Sequence, residues 1–212
     1  MTISTLDPEA HARIAATIRE AETRTSGEIY CVLARSSDSY FYPALAFLSV
    51  ALLAASLGVA LALEYLWLGI RLPLFVTAQI LAFGAAAALL WLVPGLRLRL
   101  VPRRLRYRRA HDNAMKQFLA RNVHVTSART GVLIFVSLAE RYAEIVADSG
   151  INSRVPQATW NAIVGELVEH ARGNRLADGF VAAVSAVSNI LEEHFPVVPG
   201  DKNELDDHLV EI

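Results

Sequence analysis

The sequence contains one cysteine, Cys31, so no disulfide can form within it, and a disulfide-stapled scaffold is excluded. A lone thiol suits a reducing compartment. Cys31 alternates with Tyr30 and Val32 in a strand-like run, the place of a small core residue and not of a nucleophile. The first residues lack the basic stretch and short apolar run of a secretory signal peptide, so none is expected. There is no Walker-type phosphate loop and no Gly-x-Ser-x-Gly elbow. The histidines, His11, His111, His124, His170, His194 and His208, form no close pair at metal-ligand spacing, and with one cysteine a structural zinc site is not expected. A net charge of -1 gives no global pull toward nucleic acid.

Charge is missing altogether from two apolar runs, residues 43–63 and 72–92. Each is long enough to cross a hydrocarbon core of about 30 Å as a helix rising about 1.5 Å per residue. The short link between them demands a helical hairpin with both outer ends on one side. Tyr40, Phe41, Tyr42, Tyr65, Trp67 and Trp91 lie near the span ends, where aromatic rings fit the membrane interface. The spans hold little polar beyond Ser49, Ser56, Thr77 and Gln79, which favours a simple anchor over a channel or transporter. Arg97, Arg99, Arg103, Arg104, Arg106, Arg108 and Arg109 follow the second run, whereas the link carries only Arg71, offset by Glu64. The positive-inside bias then predicts an integral membrane protein with both termini in the cytoplasm. Arginine- and alanine-rich usage points to a bacterial inner membrane. Arg103, Arg104, Arg106, Arg108 and Arg109 are candidates to hold anionic lipid headgroups. Nucleic acid is not an expected partner, because this cluster lies against the bilayer and forms no recognised binding motif.

The flanks read as alternating helix and strand. Asp7-Pro8-Glu9 starts a helix, with Ala10, Ile14, Ile18 and Ala21 as its core stripe. Residues 28–34 form a strand apolar on both faces, as inside a sheet covered on both sides. Residues 102–122 read as a basic helix with Leu105, Met115, Phe118 and Leu119 as apolar contacts. Residues 131–138 and 142–147 read as strands joined by the tight turn Ala139-Glu140-Arg141, an antiparallel hairpin whose Glu144 faces outward or toward a cleft. Pro156 opens a helix closed at Gly173-Asn174, and residues 176–194 form a last helix with Phe180, Val184, Val187 and Leu191 as its stripe. A lone strand has no stable life in water. The first strand is therefore expected to pair with the later ones, making one α/β domain interrupted by a membrane hairpin. The expected division is a first part at 1–41, the hairpin at 42–93, a second part at 94–196 and an acidic, disordered tail at 197–212.

The run Thr130-Gly131-Val132-Leu133-Ile134-Phe135-Val136-Ser137, then Glu140-Arg141 and Ile145-Val146-Ala147-Asp148-Ser149-Gly150-Ile151, resembles the second half of a TPM domain. Ser26-Gly27-Glu28-Ile29-Tyr30-Cys31-Val32 resembles that family's first strand. The resemblance implies a Rossmann-like α/β sandwich, here interrupted by a two-helix transmembrane hairpin. It implies a protein anchored to or exported across a membrane. Plant lumenal relatives are implicated in photosystem II repair with acid phosphatase activity, an animal relative is an accessory subunit of an acetylcholine receptor, and some members bind calcium. Many members carry Gly-x-Gly-Leu-Glu after the third strand and an Asp further on. Here Asp148-Ser149-Gly150-Ile151-Asn152 and Gln157 stand in those places.

The charged residues to weigh are Glu28, Arg141, Asp148 and Asp178. Glu28, Asp148 and Asp178 are candidate ligands for a divalent cation such as calcium, and Arg141 is a candidate phosphate or partner contact. The structural alternative is that Glu28 and Arg141 pair, Asp148 supports its turn and Asp178 is a first-turn helix charge. Two functions follow. One is a non-enzymatic, membrane-anchored interaction or assembly factor for a membrane complex. The other is a metal-assisted, phosphatase-like hydrolase, which requires the carboxylates to converge within a few ångströms.

Overall fold

The computed structural model describes residues 6–126, 129–197 and 205–212. Contacts divide the chain into two compact units, 1–37 with 108–212 and 38–107. This division sets residues 94–107 with the hairpin, where the sequence reading had counted them with the α/β part.

In the first unit, helix α1 (Pro8–Glu22) begins as its sequence dictates, with the Asp7 side chain accepting the N–H of Ala10 at 2.7 Å and proline at the first helical position. Strand β1 (Glu28–Ala34) is buried along its whole length. Strands β2 (Gly131–Ser137) and β3 (Tyr142–Ala147) form the expected antiparallel hairpin. Helices α7 (Gln157–Arg172) and α8 (Leu176–His194) follow the short helix α6 (Ser149–Asn152).

The sheet runs β3-β2-β1-β4, with β1 parallel to both its neighbours. Its first face is covered by α1, α7 and α8, whose Ile14, Ile18, Trp160, Phe180, Val184 and Leu191 pack against Ile29, Cys31, Leu33 and Ile134. Alternation sends Tyr30, Val32, Leu133 and Phe135 to the second face, where Ala114, Phe118 and Val123 meet them. Burial on both faces explains why β1 and β2 read as continuous apolar runs.

The first-unit part of the basic helix corrects the sequence reading. Helix α5 (Arg103–Ala120) buries Ala110, Ala114 and Phe118, one every four residues, while Leu119 is 52% exposed. Two alanines set the contact stripe because a helix approaches a sheet closely only through small side chains.

The expected acidic tail is also corrected in part. Residues 198–204 lie outside the described residues, but Leu209–Glu211 form strand β4 on the free edge of β1. Leu209 is buried opposite Cys31, Arg35 N–H donates to Ile212 O at 2.8 Å, and Ile212 N–H donates to Leu33 O at 3.0 Å. The Glu211 carboxylate accepts from the backbone N–H of Leu6 at 3.3 Å and lies 3.0 Å from His11 Nε2.

The second unit contains α2 (Phe41–Tyr65), α3 (Leu72–Leu92) and α4 (Pro94–Leu100). The first two helices are long and apolar enough to cross a membrane. Arg97 closes the far end of α3. Its Nε donates to Leu90 O at 2.7 Å, Nη2 to Trp91 O at 3.1 Å and Nη1 to Ser39 O at 3.4 Å, and its guanidinium lies 5.4 Å from the centre of the Phe41 ring. The Leu90 and Trp91 carbonyls stand in the last turn of α3, where intrahelical partners run out, and in an apolar setting each would be costly to leave bare.

Deleting Leu209–Ile212 from the full chain is expected to lower its stability by about 3 kcal/mol, the worth of one buried leucine and its ladder hydrogen bonds. Urea unfolding followed by circular dichroism would measure this, and an unchanged midpoint would mean that β4 adds nothing to the sheet.

Candidate functional site

Glu28 and Asp148 come together, and the register shows how. Glu28 is the partner of Gly131 across β1 and β2, and Asp148 N–H donates to Gly131 O at 2.9 Å. The two acids therefore flank one glycine at the same end of the sheet, and both are buried. A Cβ on Gly131 would stand 2.0 Å from the carbonyl oxygen of Val123. Only glycine lets the 3-10 turn Val123–Val125 descend between the two acids, so backbone occupies the space beside them.

Asp148 is also committed locally. Asp148 caps α6, accepting from Ser149 N at 2.5 Å and Ser149 Oγ at 3.0 Å. The supporting role anticipated for Asp148 in its turn is thus present.

Asp178 and Arg141 do not join them. Asp178 opens α8 and is bound by Arg13 at 3.1 Å. Leu191, further along the same helix, packs against Gly27 beside Glu28. At about 1.5 Å of rise per residue, Asp178 lies roughly 20 Å from that level. Arg141 sits in the β2–β3 turn, exposed, at φ 52°. At about 3.3 Å per residue it is roughly 20 Å along the sheet from Gly131. The expected Glu28–Arg141 pair and the expected three-carboxylate cation site are both corrected by these distances. Among the described residues, no three His, Cys, Asp or Glu side chains gather as a metal site.

Two acidic groupings escaped the sequence reading. Beside Glu28, burial pushes the Glu22 carboxyl up to about 9, helped by its hydrogen bond to Asp207 and by the charges of Glu28 and Asp207, while the N–H of Ile29 works the other way. Glu22 therefore keeps its proton at neutral pH. Arg19 pairs with Asp207 at 3.6 Å. The grouping ties α1 and the start of β1 to the segment leading into β4.

At the carboxyl ends of β1 and β2, Glu140 is buried and accepts from Ser36 Oγ at 3.2 Å, Ser37 N–H at 3.0 Å and the Ser137 hydroxyl, while Ser37 Oγ and Ser137 Oγ are 2.9 Å apart. Ligands of open α/β sheets favour this end of the strands. Here Glu140 spends its acceptors on stitching the two strand ends together. Its position in a turn hid it, since turn acids usually face water.

Burial pushes the Cys31 thiol far up, so no thiolate forms there. Of the arginines expected at a lipid surface, Arg103, Arg104, Arg108 and Arg109 are exposed and Arg106 is half-buried. The Arg103 guanidinium lies 4.7 Å from the centre of the Tyr107 ring.

The Glu22 proton gives a signed pH dependence. The folded chain holds a proton that the unfolded chain releases near 4.5, so the stability this group lends is complete below 4.5 and is lost as pH rises through about 9. Glu22→Gln is expected to flatten this fall, leaving stability near wild type at about pH 5 and raising it at about pH 8. Urea midpoints measured at both pH values would test it, and parallel wild-type and variant curves would refute the assignment.

Comparison with known proteins agrees with this architecture. Residues 99–190 match the TPM domain family model. The solved structure described as the NMR structure of BA42 protein from the psychrophilic bacterium Bizionia argentinensis sp. nov. is similar in fold, with a TM-score of 0.62 and 19% sequence identity over 100% of this chain and 99% of that one. No curated protein matches the sequence. The family match begins after the hairpin. The first strand lies outside the matched segment, and the structure seats it, as β1, beside β2 of that segment.

Proposed function

We propose that this TPM-domain chain is a membrane-anchored, non-enzymatic interaction factor that assists assembly or maintenance of a membrane protein complex. One observation carries the reading: a hairpin of two long apolar helices, α2 and α3, is inserted between β1 and β2, which pair in unbroken register from Glu28–Gly131 to Ala34–Ser137. A hairpin that crosses and returns leaves both flanks on one side, as the shared sheet requires.

The cytoplasmic side is favoured by Arg97, Arg99, Arg103, Arg104, Arg106, Arg108 and Arg109 following the second span, set against Arg71 alone in the link. Arg103, Arg104, Arg106, Arg108 and Arg109 are suited to anionic headgroups, each such charge near the surface being worth about 1 kcal/mol. A bacterial inner membrane fits this composition. An interaction role is preferred to hydrolysis because Asp148 caps a helix, Asp178 pairs with Arg13 and Glu140 joins two strand ends, so these acids serve the fold. No specific observation favours the hydrolase.

Crosslinking in native membranes followed by pull-down of the full chain is expected to recover a discrete membrane-protein partner. Recovery of lipid alone would sink the assembly reading. Topology has a separate check, because the native thiol is buried and silent. With an impermeant maleimide on intact cells, Trp67→Cys is expected to label and Glu9→Cys to label only after lysis. The reverse pattern would invert the orientation.

A further inference from the structure

We infer that the free edge of β3 is a docking site for an extended strand of a partner protein, one whose inward side chain brings a hydrogen-bond acceptor into the groove between β3 and α7. This deepens the interaction reading above and rests on it for the origin of the strand.

The first observation is the edge itself. β3 ends the sheet, and among the described residues no strand lies beyond it. Asp148 N–H points to Gly131 of β2, and the Asn152 amide donates to Ala147 O at 2.8 Å from the other side. In an antiparallel ladder these two bonds fix the alternation. Tyr142, Glu144 and Val146 turn their backbone groups to β2, whereas Ala143 and Ile145 turn N–H and C=O outward.

Natural edges are usually blunted by lysine, proline, a bulge or an inward charge. Here the register with β2 is unbroken from Val132–Ala147 to Ser137–Tyr142, and β3 contains no proline or lysine. Its one charge, Glu144, is held by Tyr142 Oη at 2.8 Å and lies 2.9 Å from His111 Nδ1. The edge is left ready to pair.

The second observation is independent of the ladder. Beside this edge lies a groove of about 180 Å³, lined by Ala143, Ile145, Gln157, Trp160, Asn161 and Val164 among others. Trp160 is 2% exposed, and its indole N–H has no acceptor among the described residues. A buried tryptophan normally finds a partner for that group. A donor without an acceptor, in a groove that also carries the amides of Gln157 and Asn161, calls for an acceptor from outside. A strand laid on β3 directs alternate side chains to the α7 side, where Ala143 and Ile145 already point. The indole nitrogen is itself closed to solvent, so an aspartate or glutamate there reaches its N–H as the groove opens around Trp160.

A second copy of this chain fits less well. Two-fold antiparallel pairing centred on Glu144 sets that carboxylate against its own image, which is destabilising. Pairing centred on Ile145 brings Ala143 to the carbonyl of Ala147, which Asn152 already occupies. The occupant inferred is a different chain, and self-pairing is among the outcomes that would overturn the inference.

The test uses the full-length protein in lipid nanodiscs and the acetylated, amidated heptapeptide Thr-Val-Thr-Asp-Thr-Val-Thr as probe. Its addition is expected to slow hydrogen exchange at the Ala143 and Ile145 amides by about tenfold or more and to shift the Trp160 indole proton resonance. Replacing the central Asp by Lys is expected to abolish both effects. Ala143→Pro removes one outward N–H while leaving the β2 ladder intact, and is expected to abolish binding with the fold retained. Trp160→Phe is expected to weaken the Asp peptide to the level of the Lys peptide. The inference is overturned by no added protection, by equal protection from the Lys peptide, or by edge protection that grows with protein concentration without peptide. Absence of peptide binding while a membrane partner is still crosslinked would remove the β3 edge and leave the anchored-interaction reading standing.

Discussion

The parallel pairing of β1 with β2 is the interaction on which the rest of this structure depends. β1 is the central strand, buried on both faces, and it carries β4 on its other edge. Without it, β2 and β3 would be an isolated hairpin, which is marginal in water. The two strands are separated by the whole hairpin and the basic helix. Closing a free loop of roughly a hundred residues costs roughly 4 kcal/mol beyond a constant, a modest sum against the burial of so many apolar side chains. The details around the pair serve it. Gly131 admits the Val123 turn, Glu140 fastens the far ends, and the Glu22–Asp207 hydrogen bond ties α1 to the approach to β4.

Much of this was legible because the signals are local. Asp7-Pro8 marks a helix start wherever it occurs, and the stripe Phe180, Val184, Val187, Leu191 marks a buried face. The charge-free runs announced α2 and α3, and short apolar runs bounded by turn residues announced β1, β2 and β3. What escaped depends on long-range pairing. Leu209-Val210-Glu211 is too short and too acidic in its surroundings to read as a strand, and only the open edge of β1 makes it one. Glu140 looked like a turn residue because its partners, Ser36 and Ser37, lie far away in sequence.

The candidate site shows the same limit from the other side. Glu28, Asp148, Asp178 and Arg141 share a chemistry that suggests a cation or phosphate, but residue type carries no distance. Asp148 and Glu28 lie on either side of Gly131 because the register puts them there. Arg141 is carried to the other end of the hairpin, and Asp178 to the other end of α8. The bare indole N–H of Trp160 and the polar groove around it emerge only once α7 is set against β3.

The insertion of α2 and α3 between paired strands has a consequence for biogenesis. β1 is synthesised before the hairpin and β2 after it, so β1 must wait, unpaired, until both helices have been made. In the membrane-spanning reading, a chain that threads one helix and fails to thread the other leaves its two halves on opposite sides of the bilayer. Such a chain has no sheet and no core, and it presents naked apolar strands to proteases on both sides. In that reading sheet closure acts as a proofreading step, reached only by a chain whose two helices have both been threaded.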